Sequence, residues 1–189
     1  MPARPRLPLR SVVVGFVLAS LAAIGTGVVL SGDDDPVDPE IPVTLEPEDG
    51  SSDDPASVTF TTFADEEVRL GSLKGSPVVV NFFASTCAPC ITEMPALEEV
   101  HTQFGDRVEF LGLAVFDQPA AAQRLVEQTG VTYPTAQDKD GTAIAALGGT
   151  MLPTTILLDA DGKVVRTHTG EISADELRGL LADDLGVTA

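Results

Sequence analysis

Both cysteines of the 189-residue chain fall in one tetrapeptide, Cys87-Ala88-Pro89-Cys90. The pair follows an apolar, β-rich run, Pro77–Ala84, and opens a segment with helical periodicity. A cysteine at a helix N-terminus meets unpaired backbone N–H groups and a partial positive charge, which favour its thiolate. The thiolate is the form that attacks a disulfide. Cys87 is therefore the expected nucleophile, and Cys90, one turn on, can close on it and expel a bound partner. Other uses of the pair are weaker. A structural disulfide across two residues closes almost no loop and stabilises little. Half a zinc site needs two further ligands. His101 lies eleven residues beyond Cys90, roughly 16 Å along a helix, so it cannot share a metal with it. No metal site is expected, and His101 and His168 read as surface groups. A copper carrier would want three residues between its cysteines.

Two other residues stand out. Glu93, three positions after Cys90, lies one helical turn along on nearly the same side. A partly buried carboxylate there would disfavour thiolates by its charge or relay a proton; a solvated helix glutamate, like Glu98 and Glu99, is the bland alternative. Pro153 precedes a β-rich strand, Thr154-Thr155-Ile156-Leu157-Leu158, some 65 residues after the cysteines. An X-Pro bond there could be cis, with its upstream backbone beside the cysteines and free to pair with a substrate strand. An ordinary strand-start proline is the alternative.

The elements that must position these groups can be read from the pattern. Ser57–Thr62 and Glu67–Leu70 suggest a hairpin across Ala64-Asp65-Glu66. Pro77–Ala84 and Arg107–Phe116 read as strands buried on both faces. Between them, Ile91, Met94, Leu97, Val100 and Phe104 recur at helical steps. Pro119–Thr129 reads as a helix ended by Gly130, and Thr142–Leu147 as a short one. Thr154–Asp159 and Lys163–Thr169 form a hairpin around Ala160-Asp161-Gly162. Ser173, with Glu176 three residues on, caps a last helix. The order β-β-β-α-β-α-α-β-β-α predicts an α/β fold: one central mixed sheet with helices on both sides.

Charge divides the chain. Overall it carries 11 Lys+Arg against 29 Asp+Glu, a net charge of −18, which excludes a nucleic-acid partner that needs its phosphates neutralised. Residues 1–10 hold three arginines and no acid. Residues 12–30 are uncharged and long enough, at about 28 Å as a helix, to cross a bilayer. The basic flank places residues 1–10 in the cytoplasm and sends the rest outward. Segment 11–30 is thus expected to be a single-pass membrane anchor, with a signal peptide cleaved near Ser20-Leu21-Ala22 as the alternative. Residues 31–57 carry ten acids, no base and five prolines, the composition of an extended spacer. Residues 58–189 make one compact domain. Asp138-x-Asp140-Gly141 and Asp159-x-Asp161-Gly162 mimic calcium loops but lack the distal acid, and read as turns.

Val78–Ala84, Cys87–Cys90, Glu93-Met94-Pro95-Ala96-Leu97, Leu152–Thr155 and Asp161–Val165 together resemble the TlpA/ResA-like group, membrane-tethered thiol–disulfide oxidoreductases of the thioredoxin superfamily. The resemblance spans about residues 58–185. It implies a thioredoxin fold with an N-terminal β-hairpin and a βα insertion near residues 117–133. It also implies a cis Pro153 facing the cysteines, a proline-kinked helix at Pro95, and Glu93 as an active-site carboxylate. Asn81 stands where ordinary thioredoxins have a buried aspartate, which makes Glu93 the natural substitute. Thr86, Ala88, Pro89, Leu152 and Thr154 would flank the substrate. The redox-active disulfide Cys87–Cys90 would be the only cofactor. Partners would be extracytoplasmic protein thiols and disulfides, such as apocytochrome c, and a membrane electron donor of the CcdA/DsbD kind. The group usually has tryptophan where this chain has Thr86 and Phe83, which removes an apolar platform beside Cys87. The implied function is reduction of protein disulfides in cytochrome c maturation. The alternatives are disulfide formation in secreted proteins, a thiol peroxidase, for which the activating Thr and Arg pattern is missing, and a copper-binding module.

Overall fold

The computed structural model describes residues 54–188. The basic tail, the apolar run expected to anchor the chain and nearly all of the acidic spacer lie outside them. Among the described residues, no helix is long and apolar enough to cross a membrane.

The sheet is organised by β3 (Val78–Phe83), whose six residues are all buried. Side chains alternate across a strand. Val78, Val80 and Phe82 enter the core on one face, Val79 and Phe83 the core on the other. β4 (Glu109–Val115) runs parallel to β3, and β6 (Thr154–Leu158) antiparallel on its other side. With β1 (Thr59–Thr61), β2 (Glu67–Arg69), β5 (Thr135–Asp138) and β7 (Val164–Thr169), the order is β2-β1-β5-β4-β3-β6-β7. The central strands β5, β4 and β3 are mutually parallel, and the remaining pairings are antiparallel. The mixed α/β sheet expected from the element order is thus present.

α1 (Ala88–Phe104), α2 (Pro119–Thr129) and α4 (Ala174–Leu185) cover one face, burying Met94, Leu97, Val100, Phe104, Leu125, Leu177 and Leu181 against Val79 and Phe83. Short α3 (Thr142–Ala146) packs Ala143 and Ile144 on the opposite face with Phe60, Leu111 and Leu113. The Ser173–Glu176 capping box starts α4 in both of its hydrogen bonds.

Four details depart from the pattern-based reading. β5 was not expected: Thr135-Ala136-Gln137-Asp138 has no apolar run, and its burial comes from β4 and β1 on either side. The inserted unit between β4 and α3 therefore comprises α2 and β5 and ends past residue 133. Asp54–Ser57, assigned to the spacer by composition, belong to the folded unit. Pro55–Ser57 form a 3-10 turn capped by the Asp54 carboxylate, which accepts the Ala56 N–H at 2.9 Å. His101 is not a free surface group; its ring packs edge-on against Phe110 and Tyr133.

Candidate active site

Cys87 closes the turn after β3 and caps α1. Its N–H donates to the Ala84 carbonyl at 3.0 Å, and its Sγ accepts the Cys90 N–H at 3.3 Å. Pro89 in the first turn of α1 suits a position where a backbone N–H would have no helical partner. Cys87 and Cys90 are disulfide-bonded, with Cα atoms 5.3 Å apart. Cys90 is fully buried, whereas Cys87 is only partly covered and flanked by exposed Thr86, Ala88 and Pro89. A reacting partner can therefore reach Cys87 and not Cys90.

The helical stripe starts earlier than its apolar residues suggest. Cys90 and Glu93 point inward with Met94 and Leu97, while Ile91, which belongs to the periodic set, is 40% exposed. Pro95 lies within the unbroken helix and withholds an N–H from the ladder. Glu93 is 1% exposed. One carboxylate oxygen accepts the Asn81 amide at 2.7 Å, and the other accepts the Ile172 N–H at 3.1 Å. Burial pushes its pKa up to about 7, against the two hydrogen bonds, which pull it down. At neutral pH this carboxyl can therefore either hold or accept a proton. The buried alternative for Glu93 is the one realised.

Asn81 is placed there by strand alternation. It shares a face with Val79 and Phe83, so its side chain meets α1. Opposite it on β6 stands Thr155, whose hydroxyl accepts from the same amide at 3.3 Å. The Asn81 Oδ1 is buried without a hydrogen-bond partner among the described residues. Tyr133 is also buried, and its hydroxyl is held above its usual pKa by that burial and by Glu93 and Glu98.

The Leu152–Pro153 bond is cis. Pro153 is buried and Leu152 half-buried, packed against both cores. The Leu152 N–H and C=O enter no hydrogen bond among the described residues. Thr154 is fully buried; its hydroxyl donates to the Met151 carbonyl at 2.7 Å, so its side chain holds the loop and does not face a substrate. Asp117 is a further residue of the site, outside those expected from the sequence. Its carboxylate accepts the Ser85 N–H, the Ser85 hydroxyl at 2.8 Å and the Gln118 N–H at 2.8 Å, tying the turn after β4 to the loop that carries Cys87. The only prior signal was an acid directly after a strand, which is common.

A family model described as the AhpC/TSA family matches residues 53–167. The thiol–disulfide oxidoreductase ResA of Bacillus anthracis is 35% identical over 122 residues, which cover 64% of this chain and 70% of that one. The chain belongs to the AhpC/TSA family, among its ResA/TlpA-like thiol–disulfide oxidoreductases. Solved structures agree. A secreted Mycobacterium tuberculosis disulfide oxidoreductase homologous to E. coli DsbE aligns with a TM-score of 0.61 at 29% identity, covering 69% of this chain and 98% of that one. A DsbF homologue from Corynebacterium diphtheriae aligns with a TM-score of 0.60 at 31% identity, covering 67% and 83%. The sheet and helices described above are thus a thioredoxin fold, and the Cys87–Cys90 pair is that of a protein disulfide oxidoreductase.

Proposed function

We propose that this oxidoreductase is a membrane-tethered, extracytoplasmic reductant of protein disulfides, with apocytochrome c thiols among its products. The observation that carries this reading is Glu93, a buried carboxyl one turn from Cys90. When ionised it disfavours a second negative charge on the neighbouring thiol. Oxidants of this chemistry gain their power from a stabilised thiolate in the reduced state; withdrawing that stabilisation favours the disulfide and makes the dithiol the better electron donor.

The Cys87 thiolate attacks one sulfur of a substrate disulfide, forming a mixed disulfide and releasing the other sulfur as a thiolate. Glu93, ionised, takes the proton of the Cys90 thiol. Cys90 then attacks Cys87, the Cys87–Cys90 disulfide forms, and the substrate leaves as a thiolate that is protonated by water. Two electrons pass from the enzyme dithiol to the substrate disulfide, and no cofactor beyond the cysteine pair takes part. The unpaired backbone of Leu152 holds the substrate chain as an added strand. A membrane donor of the CcdA/DsbD kind restores the dithiol.

The basic tail and apolar run support the tether, and the secreted Mycobacterium tuberculosis relative supports the compartment. The test is a Cys90→Ala variant in native membranes, which stalls at the mixed disulfide. Capture of cytochrome c precursors and a thiol-rich membrane protein through Cys87 is expected. Capture of secreted proteins awaiting oxidation, with a Cys87/Cys90 potential near that of strong oxidants, would reverse the direction.

A further inference from the structure

The described residues leave three large apolar side chains exposed: Ile91, Phe116 at 72% and Met151 at 58%. All three are attached to the redox site. The Ile91 N–H donates to the Cys87 carbonyl. Phe116 precedes Asp117, which clamps Ser85. Met151 precedes Leu152 and the cis proline. Phe116, Met151 and Leu152, with Ile144 and Thr150, line one groove of about 220 Å³. For scale, an apolar cavity of about 150 Å³ holds a benzene molecule.

Phe116 is held there at a conformational cost. Its φ is 50°, the left-handed region that bulky residues avoid. The ring is largely exposed, while the Phe116 N–H donates to the Asp138 carbonyl at 3.1 Å. Gly141 lies against the ring, and a Cβ at that position would fall 2.6 Å from it. Gly141 has its own reason to be glycine, a φ of 74°, and the link from the ring to the redox loop is Asp117, the next residue, which binds Ser85 two positions before Cys87.

We propose that Phe116, Ile144, Met151 and Leu152 form a specificity subsite that takes a large apolar side chain next to the cysteine of an extended polypeptide substrate. The proposal rests on Cys87 being the attacking thiol. The occupant is a polypeptide because the groove is continuous with the unpaired backbone of Leu152, where an extended chain can add. Its side chain is apolar because no charged residue lines the groove.

The experiment uses the reduced full-length chain and a series of short peptides, each with one cysteine in a mixed disulfide with glutathione. The peptides differ only in the residue beside that cysteine: Phe, Leu, Ser or Asp. Second-order rates for the Phe peptide should exceed those for the Asp peptide by about tenfold or more. Phe116→Asn, which relieves the backbone, and Met151→Ser should each bring that ratio below about threefold. Rates with glutathione disulfide, which lacks the side chain, should stay within about twofold of the parent. The melting temperature of Phe116→Asn should not fall; if it does, Met151→Ser decides the case. A parent without preference, or a preference that survives the deciding variant, overturns the subsite. A chain that does not react even with glutathione disulfide overturns instead the redox reading on which it rests.

Discussion

Replacing Glu93 with glutamine should stabilise the protein above pH 7 and do so progressively less as the pH falls. Burial raises this carboxyl from 4.5 to about 7. Between those values the folded state holds a proton that the unfolded state has lost, so stability falls as pH rises through the window. The resulting destabilisation is nearly absent at pH 4 and fully present above the folded value. At ~1.4 kcal/mol per pKa unit, the ionisation costs the folded protein roughly 3 kcal/mol by pH 8. Glutamine has the same shape and no charge. Its carbonyl can accept the Ile172 N–H, and its amide can donate to Asn81 Oδ1 once the Asn81 amide, which now turns its N–H to residue 93, flips over.

The assay is urea unfolding of the disulfide form of parent and variant from pH 4 to pH 8. Keeping the cysteines oxidised removes their own titration, and taking the difference cancels every other group. The variant-minus-parent stability should grow by roughly 3 kcal/mol across that range. A difference that changes by less than about 1 kcal/mol would refute the claim that Glu93 is charged at a desolvation cost. The same variant should slow the second step of turnover, since an amide cannot accept the Cys90 proton, and leave attack by Cys87 largely intact.

Three further outcomes follow from the same geometry. Asn81→Asp places a second carboxylate against Glu93, and should destabilise the fold by roughly 2–4 kcal/mol at pH 8 but little at pH 4, read by the same unfolding series. Asp117→Ala removes three hydrogen bonds to a charged acceptor and should cost roughly 2–3 kcal/mol. Its coupling with Ser85→Ala in a double-mutant cycle should reach about 1 kcal/mol, whereas independent effects would show that the two residues do not share a clamp. Ser173→Ala breaks the capping box and should lower stability by about 1 kcal/mol with no change in thiol reactivity; a changed rate would mean that α4 reports to the site through Ile172.

The cysteine pair, its place between strand and helix, the hairpins and the last helix's cap could all be read from residue spacing because each is a local signal. β5 could not, since its burial is conferred by two neighbouring strands and not by its own side chains. Glu93 was ambiguous from helix spacing alone. A second local fact would have decided it: Asn81 is the one polar residue in a six-residue buried strand, and alternation turns it toward α1. A buried asparagine requires a partner, and Glu93 is the first of three acids on the facing helix and the one in its half that follows the cysteines. The Asp117 clamp and the Phe116 wall depend on a turn brought over the Cys87 loop by the packing of β4 on β3, a contact with no periodic trace in the sequence.

The two cysteines sit in opposite electrostatic settings, and in the proposed mechanism this asymmetry orders the reaction. Cys87 is accessible, and its sulfur accepts a backbone N–H at a helix N-terminus, so negative charge is favoured where the substrate arrives. Cys90 is buried within a turn of Glu93, so charge there is opposed by desolvation and by the carboxylate when it is ionised. On the mechanism proposed above, Cys90 stays a thiol until the mixed disulfide forms beside it. In that proposed step, transfer of its proton to Glu93 moves the single buried negative charge from oxygen to sulfur instead of adding a second. One desolvated charge is tolerable where two are not, which is why a carboxyl poised near neutrality suits this step better than one that is always ionised.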